Sequence, residues 1–325
     1  MSEKSHPEAV LSVRGLSKTY RVGFFLARQV KALDGLDLDI SKGQVYGLLG
    51  PNGAGKSTTI KILMNLVRKS SGTALILGRP PDDAEVRRTV GFVPENPSPY
   101  AYLTGREFVS LSARLAGLSG QDLDKRLKEV IGMVEMTRAQ DLQIRRYSKG
   151  MVQRITLAQA LIASPKFLVL DEPTSGLDPV GRQLIRDIIL AERERGTTVL
   201  FCTHIIPDVE ALCDRIAVLV GGKRVREGRV QELLTQGASK VEMVIEGMDQ
   251  AALSDCGVAL ESVRVLDQRL LVICAESDAQ GLLRNVVAKD GRVARLTQAR
   301  FGLEDLFMTA VREASGRSVG GDITE

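Results

Sequence analysis

Residues 44–57 read Gln-Val-Tyr-Gly-Leu-Leu-Gly-Pro-Asn-Gly-Ala-Gly-Lys-Ser. Gln44 to Leu49 is a short, mostly apolar run and predicts a buried strand; the pattern Ile60, Leu63, Met64, Val67 predicts a helix on the far side of the glycines. Gly50 to Ser57 between them has the spacing of a phosphate-binding loop, and the strand, loop and helix order separates it from an ordinary turn. Its glycines let backbone N–H groups turn inward around phosphates, and the helix N-terminus adds positive dipole at the same place. Lys56 is placed to reach the β and γ phosphates of a nucleotide, and the Ser57 hydroxyl to ligate Mg²⁺. A buried strand feeding a phosphate loop and a helix predicts an α/β fold.

The rest of the first 230 residues continues that pattern. Phe167 to Leu170 is apolar and ends in Asp171-Glu172, so two carboxylates stand at the C-terminal edge of a buried strand, where open α/β sheets bind ligands. Asp178-Pro179 opens a helix as N-cap and first residue, with Leu184, Ile185, Ile188 and Ile189 on one face and Gly196 past its end. Thr197 to Cys202 predicts the next buried strand, and His204 emerges after it; the other histidine, His6, lies in a polar N-terminal tail. Upstream of the carboxylates, residues 147–154 read Tyr-Ser-Lys-Gly-Met-Val-Gln-Arg.

The phosphate loop, the 147–154 segment and Asp171-Glu172, in that order, resemble the nucleotide-binding subunits of ATP-binding cassette (ABC) proteins over roughly residues 9 to 230. The resemblance implies an ABC ATPase cassette with a RecA-like core, an antiparallel β subdomain and a helical subdomain, acting with ATP and Mg²⁺. It makes Gly50, Pro51, Asn52, Gly53, Ala54, Gly55, Lys56, Ser57 and Thr58 the phosphate cradle, and Lys56, Glu172 and His204 the catalytic set. Asp171 holds Mg²⁺ in such proteins, Glu172 polarises the attacking water as general base, and the histidine contacts the γ-phosphate. Tyr147 to Met151 occupies the place of the family signature, so Ser148, Lys149, Gly150 and Met151 are expected to meet the nucleotide of a partner subunit, with Asp178 after Ser175-Gly176-Leu177 as a further nucleotide-site residue. Tyr20 falls where the family places an aromatic ring against adenine; a buried core tyrosine is the plain alternative.

Two positions depart from the common pattern. Glu95 stands where the family usually has a glutamine that touches Mg²⁺ and couples to the membrane subunit, and it still offers a hard oxygen ligand. Lys149 and Met151 replace the usual Gly and Gln of the signature. Both variants resemble those of ATPases that drive ABC-2 type exporters. Between Glu95 and Tyr147, Thr104 and Glu107 have the form of a capping box; Phe108, Leu111, Leu115 and then Leu123, Leu127, Val130, Ile131, Val134 form two stripes expected to be the core of a helical subdomain at about 96–147. Phe24-Phe25-Leu26, flanked by Arg21 and Arg28, suits either a hairpin tip or a contact with membrane or partner.

The organisation expected is a tail at 1–8, the cassette at 9–236, a small α+β accessory domain at 237–314 and a disordered tail at 315–325. Strands at Lys240 to Ile245, Ser262 to Leu266, Arg269 to Ala275 and Val293 to Thr297, with helices near Met248 to Asp255 and Asp278 to Ala288, suggest a ferredoxin-like order. Residues 301–307 resemble a terminal helix of ABC-2 type ATPases. The net charge of +4 is uneven: residues 237–325 hold 10 Lys+Arg against 14 Asp+Glu, and the remainder 34 against 26. A mildly basic body without an aromatic-rich stripe reads as solvated cations, so no nucleic-acid partner is expected. Cys202, Cys213, Cys256 and Cys274 show no metal or redox spacing, and no run reaches the ~18 apolar residues of a membrane span.

These features together predict an ATPase that dimerises, as a homodimer or with a related subunit, around two Mg-ATP and powers a separate membrane permease, most plainly an exporter, from the cytoplasmic face. The alternatives are an importer ATPase, a soluble ABC ATPase acting on ribosomes or DNA, which would need two cassettes or a large insertion, and a nucleotide sensor without turnover, against which Glu172 argues.

Overall fold

The computed structural model describes residues 9–22, 28–235, 240–254, 260–266, 269–299 and 302–314. The chain divides into two compact units, one running to Arg229 and resuming at Ala310, the other comprising Val230–Thr309. The tails at 1–8 and 315–325 and the segment Phe24-Phe25-Leu26 lie outside the described residues.

The first unit begins with β1 (Ala9–Val22), β2 (Arg28–Ser41), β3 (Val45–Leu49), α1 (Lys56–Leu63), β4 (Ser71–Ile76), α2 (Ala84–Thr89) and β5 (Val90–Val93). It continues through α3 (Gly105–Leu115), α4 (Gly120–Met133), a 3₁₀ turn at Ile144–Arg146, α5 (Lys149–Leu161), β6 (Phe167–Asp171), α6 (Pro179–Glu194), β7 (Thr198–Thr203), α7 (Ile206–Leu212), β8 (Arg215–Val220) and β9 (Lys223–Arg229). Six strands form one sheet in the order β5-β6-β7-β3-β8-β9, parallel except for β9. Every residue of β3, β6 and β7 is buried, as expected of parallel strands covered on both faces. A second sheet, β2-β1-β4, is antiparallel, and Leu11, Val13, Leu16, Leu33, Leu38 and Ile40 join Tyr46, Leu48, Phe167 and Leu200 in one core. The sheet order puts β7 between β6 and β3, which brings the phosphate loop, Asp171 and Thr203 to adjacent strand ends although they lie far apart in the chain.

Two sequence expectations are corrected. The first helix ends at Leu63 and not at Val67, because Asn65 takes the left-handed conformation (φ 55°) that Asn tolerates best after Gly. In α3 the capping box forms as expected, but the buried face is Gly105, Val109 and Ala113, while Leu111 is 39% and Leu115 77% exposed. Small residues make that face: a Cβ on Gly105 would lie 2.3 Å from the Tyr147 hydroxyl and 3.2 Å from Ile155 Cδ1, so the helix approaches its neighbours through glycine. A stripe chosen by hydrophobicity points one position away. The second stripe holds, with Leu123, Leu127, Val130, Ile131 and Val134 all buried.

The second unit contains α8 (Val230–Thr235), β10 (Lys240–Glu246), α9 (Gln250–Ser254), β11 (Leu260–Leu266), β12 (Arg269–Ala275), α10 (Glu276–Ala288), β13 (Arg292–Ala299) and the start of α11 (Leu303–Ala314). Its sheet order β11-β12-β10-β13, antiparallel throughout, is the ferredoxin-like arrangement of a strand-helix-strand-strand-helix-strand unit. Alternate residues Val241, Met243 and Ile245 of β10 and Leu270, Val272 and Cys274 of β12 meet Leu282 and Val286 of α10 in its core. Asp255, Cys256 and Phe301 lie outside the described residues; Cys202, Cys213 and Cys274 are buried thiols.

Candidate functional site

The loop after β3 wraps the start of α1. Gly55 adopts φ 107°, and a Cβ there would lie 2.7 Å from the Ala32 carbonyl oxygen and 2.7 Å from Leu33 Cδ2, so only glycine lets β2 pass this close. The β8–β9 turn braces the loop from another side, Gly222 N donating to the Ala54 carbonyl at 3.0 Å. A cavity of about 370 Å³ results, lined by Val30–Ala32, residues 51–58, Glu95, Glu172 and His204. Lys56 is only 7% exposed, and its Nζ donates to the Gly50 carbonyl at 2.6 Å. Among the described residues no carboxylate forms an ion pair with it. A nearly buried ammonium held by neutral carbonyls suits an anionic ligand.

At the end of β6, Asp171 is 6% exposed, and its Oδ1 is buried without a hydrogen-bond partner. Burial, helped by the neighbouring Glu95 and Glu172 carboxylates, pushes its pKa up to about 6, while the Ser57 hydroxyl bond and Lys56 oppose the shift. The folded chain therefore holds this proton more tightly than the unfolded chain, and the stability it contributes is lost as pH rises through about 6. An orphaned buried carboxylate oxygen beside a hydroxyl and a second carboxylate is an all-oxygen donor set, which fits Mg²⁺. Among the described residues no three carboxylate, imidazole or thiol groups cluster to hold a metal unaided. That also fits, because Mg²⁺ at phosphate sites takes one or two protein carboxylates and completes its shell from phosphates and water.

Glu172 follows in a left-handed conformation (φ 49°) and is 6% exposed. Its Oε1 lies 2.8 Å from His204 Nδ1, and its Oε2 accepts from the Thr203 hydroxyl at 3.1 Å. With the carboxylate ionised, Nδ1 must be the protonated nitrogen of that pair.

The remaining expected site residues gather elsewhere. Ser148 caps α5, accepting from Met151 N at 3.3 Å, and Asp178 caps α6, accepting from Gly181 N at 2.8 Å. Ser148, Gly150, Met151, Arg154, Gly176, Leu177, Asp178 and Gly181 line a separate cavity of about 280 Å³. Lys149 lies across Gly176, its Nζ 2.7 Å from where a Cβ would stand. Tyr20 does not line the cavity of the loop 51–58; its cross-strand partner Val30 does, and Lys18 Nζ sits 4.9 Å from the centre of the Tyr20 ring. Sequence reasoning missed Val30–Ala32, which reach the cavity only through sheet pairing, and the hydroxyl of Thr203, whose place next to His204 was its one local signal.

Just beyond Glu95 runs an open groove of about 1040 Å³ whose lining includes Arg87, Phe92, Pro97, Pro99, Phe108 and Leu115. Tyr100 in its wall is 67% exposed, and Tyr102 close by is 77% exposed.

The ABC transporter family model matches residues 33–175. The chain is 44% identical to the uncharacterized ABC transporter ATP-binding protein all4389 of Nostoc sp. strain PCC 7120, over 96% of this chain and 92% of that protein. It is 34% identical to the Nod factor export ATP-binding protein I of Burkholderia lata, over 85% of this chain and 90% of that one. Among solved structures it resembles the dimeric post-hydrolysis state of the ATP-binding cassette MJ0796 bound to ADP and Pi, with a TM-score of 0.62 and 28% identity, covering 67% of this chain and 98% of that one.

Proposed function

The chain belongs to the ABC transporter family as one of its ATP-binding proteins, and from that premise we propose that it is the ATPase subunit of an exporter, working as a dimer around two ATP molecules. Its ATPase activity is the family's; the assignment of roles to residues is ours. The observation that carries it is the single cavity that collects the loop 51–58, Glu95, Glu172 and His204. Gly50 to Thr58 cradle the phosphates, Lys56 neutralises charge on the β and γ phosphates, Glu172 takes a proton from the attacking water, and His204 orients Glu172 and the γ-phosphate. Ser57, Asp171 and Glu95 would hold Mg²⁺, which when bound neutralises charge on the phosphate oxygens. Val30 and Tyr20 form the edge that adenine would meet; the Lys18 ammonium already occupies one side of the ring, leaving stacking to the other. Ser148, Lys149, Gly150, Met151 and Asp178 serve the nucleotide of the second subunit.

Proton and metal compete for Asp171. Stabilisation of the protein by Mg-ATP, measured as the shift in melting temperature, is therefore expected to shrink as pH falls below about 6. An undiminished shift at pH 5 would remove Asp171 from the metal site.

Export as the direction is supported by the Burkholderia lata relative and by the variant residues Glu95, Lys149 and Met151. No helix among the described residues is long and apolar enough to cross a membrane; in this reading a separate permease, as is usual for the family's ATP-binding proteins, supplies the channel. The groove beyond Glu95 suits docking of that permease, because its exposed Tyr100 and Leu115 form apolar surface next to a residue of the nucleotide cavity. Leu115→Arg, at a 77% exposed position, is expected to leave basal ATPase intact and abolish co-purification with the permease and its stimulation of turnover. Retained co-purification would move the docking site elsewhere. ATP-driven accumulation of cargo in inside-out vesicles holding both chains tests direction; efflux from them would mark an importer. The second unit, Val230–Thr309, contains none of the nucleotide motifs and is proposed as an accessory domain for assembly or coupling.

A further inference from the structure

We propose that Thr203 and the buried Thr174–Asp208–Arg186 cluster are positioning residues for hydrolysis, holding the Glu172 carboxylate in the one orientation in which it meets His204 and faces the nucleotide cavity. The inference rests on the reading of Glu172 as general base.

Glu172 needs holding. Its left-handed backbone (φ 49°) is unfavourable for a side chain with a Cβ, and such strain persists only where the surroundings over-determine it. Its N–H donates to the Cys202 carbonyl at 2.8 Å and its carbonyl accepts from Ser175 N at 3.1 Å, which ties the backbone to β7 on one side and to the following turn on the other.

Thr203 controls the side chain. Its hydroxyl oxygen accepts from Ile205 N at 3.0 Å, which commits its lone hydrogen to Glu172 Oε2 at 3.1 Å. A hydroxyl engaged in both roles has a fixed rotor. With His204 on Oε1, both carboxylate oxygens are then oriented by β7 and the residue after it.

The cluster behind controls the backbone. Thr174 Oγ1 donates to Asp208 Oδ2 at 2.6 Å, and both residues are fully buried. Arg186 donates through Nε to Asp208 Oδ1 at 3.0 Å. Three segments meet on this one carboxylate. Thr174 lies on the turn that carries Glu172, Asp208 lies in α7 just after His204, and Arg186 lies in α6, which starts where the turn from Glu172 ends. Asp208 therefore closes a ring that joins the Glu172 turn to the His204 turn, and it does so away from the nucleotide cavity, whose lining includes none of the three. A buried ion pair of this kind gives little net stability over apolar packing, so fixing a geometry is the effect it is suited to.

The test uses the full chain, with steady-state ATPase kinetics and binding of a non-hydrolysable ATP analogue. Thr203→Val and Thr174→Val keep volume and remove the hydroxyl; each is expected to lower kcat by about 10- to 100-fold, the scale of a misplacement near 1 Å. KM and analogue affinity should stay within about twofold, since the phosphate loop is untouched. Thr203→Ser and Thr174→Ser should restore most of kcat. In a Glu172→Gln background the valine substitutions should cause no further loss, because they act through the carboxylate that is gone. If a valine variant fails to fold, Asp208→Asn, which keeps the shape and one acceptor oxygen, carries the same expectations. Folded variants with unchanged kcat, or a loss that persists at full size in the Glu172→Gln background, overturn the proposal. If Glu172→Gln itself turns over normally, the general-base reading has failed and the proposal falls with it; a dead Glu172→Gln beside fully active threonine variants sinks the positioning role alone.

Discussion

Glu172→Gln keeps ATP binding and loses roughly 10²- to 10⁴-fold in hydrolysis, the contribution expected of a positioned general base. The amide has the shape of the carboxylate. Its oxygen can still accept from Thr203, which sits 3.1 Å from Oε2, and the loop 51–58 is unchanged. What disappears is the basicity, since a carboxamide cannot take the proton of the attacking water. With binding intact and cleavage blocked, the nucleotide-bound dimer should accumulate. Light scattering of the mutant with ATP and Mg²⁺ should report a doubled mass that persists, and ATPase assays the loss of turnover. Near-normal turnover would take Glu172 out of its role, whatever its distance from His204.

Lys56→Ala and Gly150→Asp should each nearly abolish activity, by about 10²- to 10³-fold, and regain it when mixed. Within one chain the phosphate loop lines one cavity, while Ser148, Gly150 and Met151 line another that includes no residue of the loop. A residue that acts on a nucleotide it does not share a cavity with must meet it across a subunit interface. Gly150→Asp is a clean probe of this. A Cβ there would make only ordinary contacts, 3.4 Å from Leu177 Cδ2, so the fold tolerates the change while a carboxylate enters at the helix start meant for a γ-phosphate. In a heterodimer of the two variants one composite site carries both lesions and the other carries neither. Restored ATPase in the mixture is the expected result; heterodimers that form and stay inactive would mean that the signature does not work in trans.

The amino-acid sequence by itself determined the parts of this protein whose physics is local. A phosphate loop is legible because its glycines and lysine fall within seven residues of one another, a capping box because Thr104 and Glu107 bond within one helical turn, and a strand buried on both faces because β3, β6 and β7 are mostly apolar runs without polar alternation. Asp178 and Pro179 announced a helix start for the same reason. Even the ferredoxin-like order of the second unit was legible, from the succession strand-helix-strand-strand-helix-strand along the chain. Tertiary structure decided what depends on residues distant in the chain. Pairing of β7 with both β6 and β3 set Thr203 and His204 beside Glu172, and the antiparallel run of β2 carried Val30–Ala32 into the cavity lined by the loop 51–58. Close approach through Gly105 turned Leu111 and Leu115 outward, against their hydrophobicity, and a single buried carboxylate, Asp208, joined three segments that no spacing rule relates. The physical reason is the same in each case: a parallel sheet and a packed core bring together side chains whose separation along the chain carries no period, so only the register and the available volume choose which of them touch.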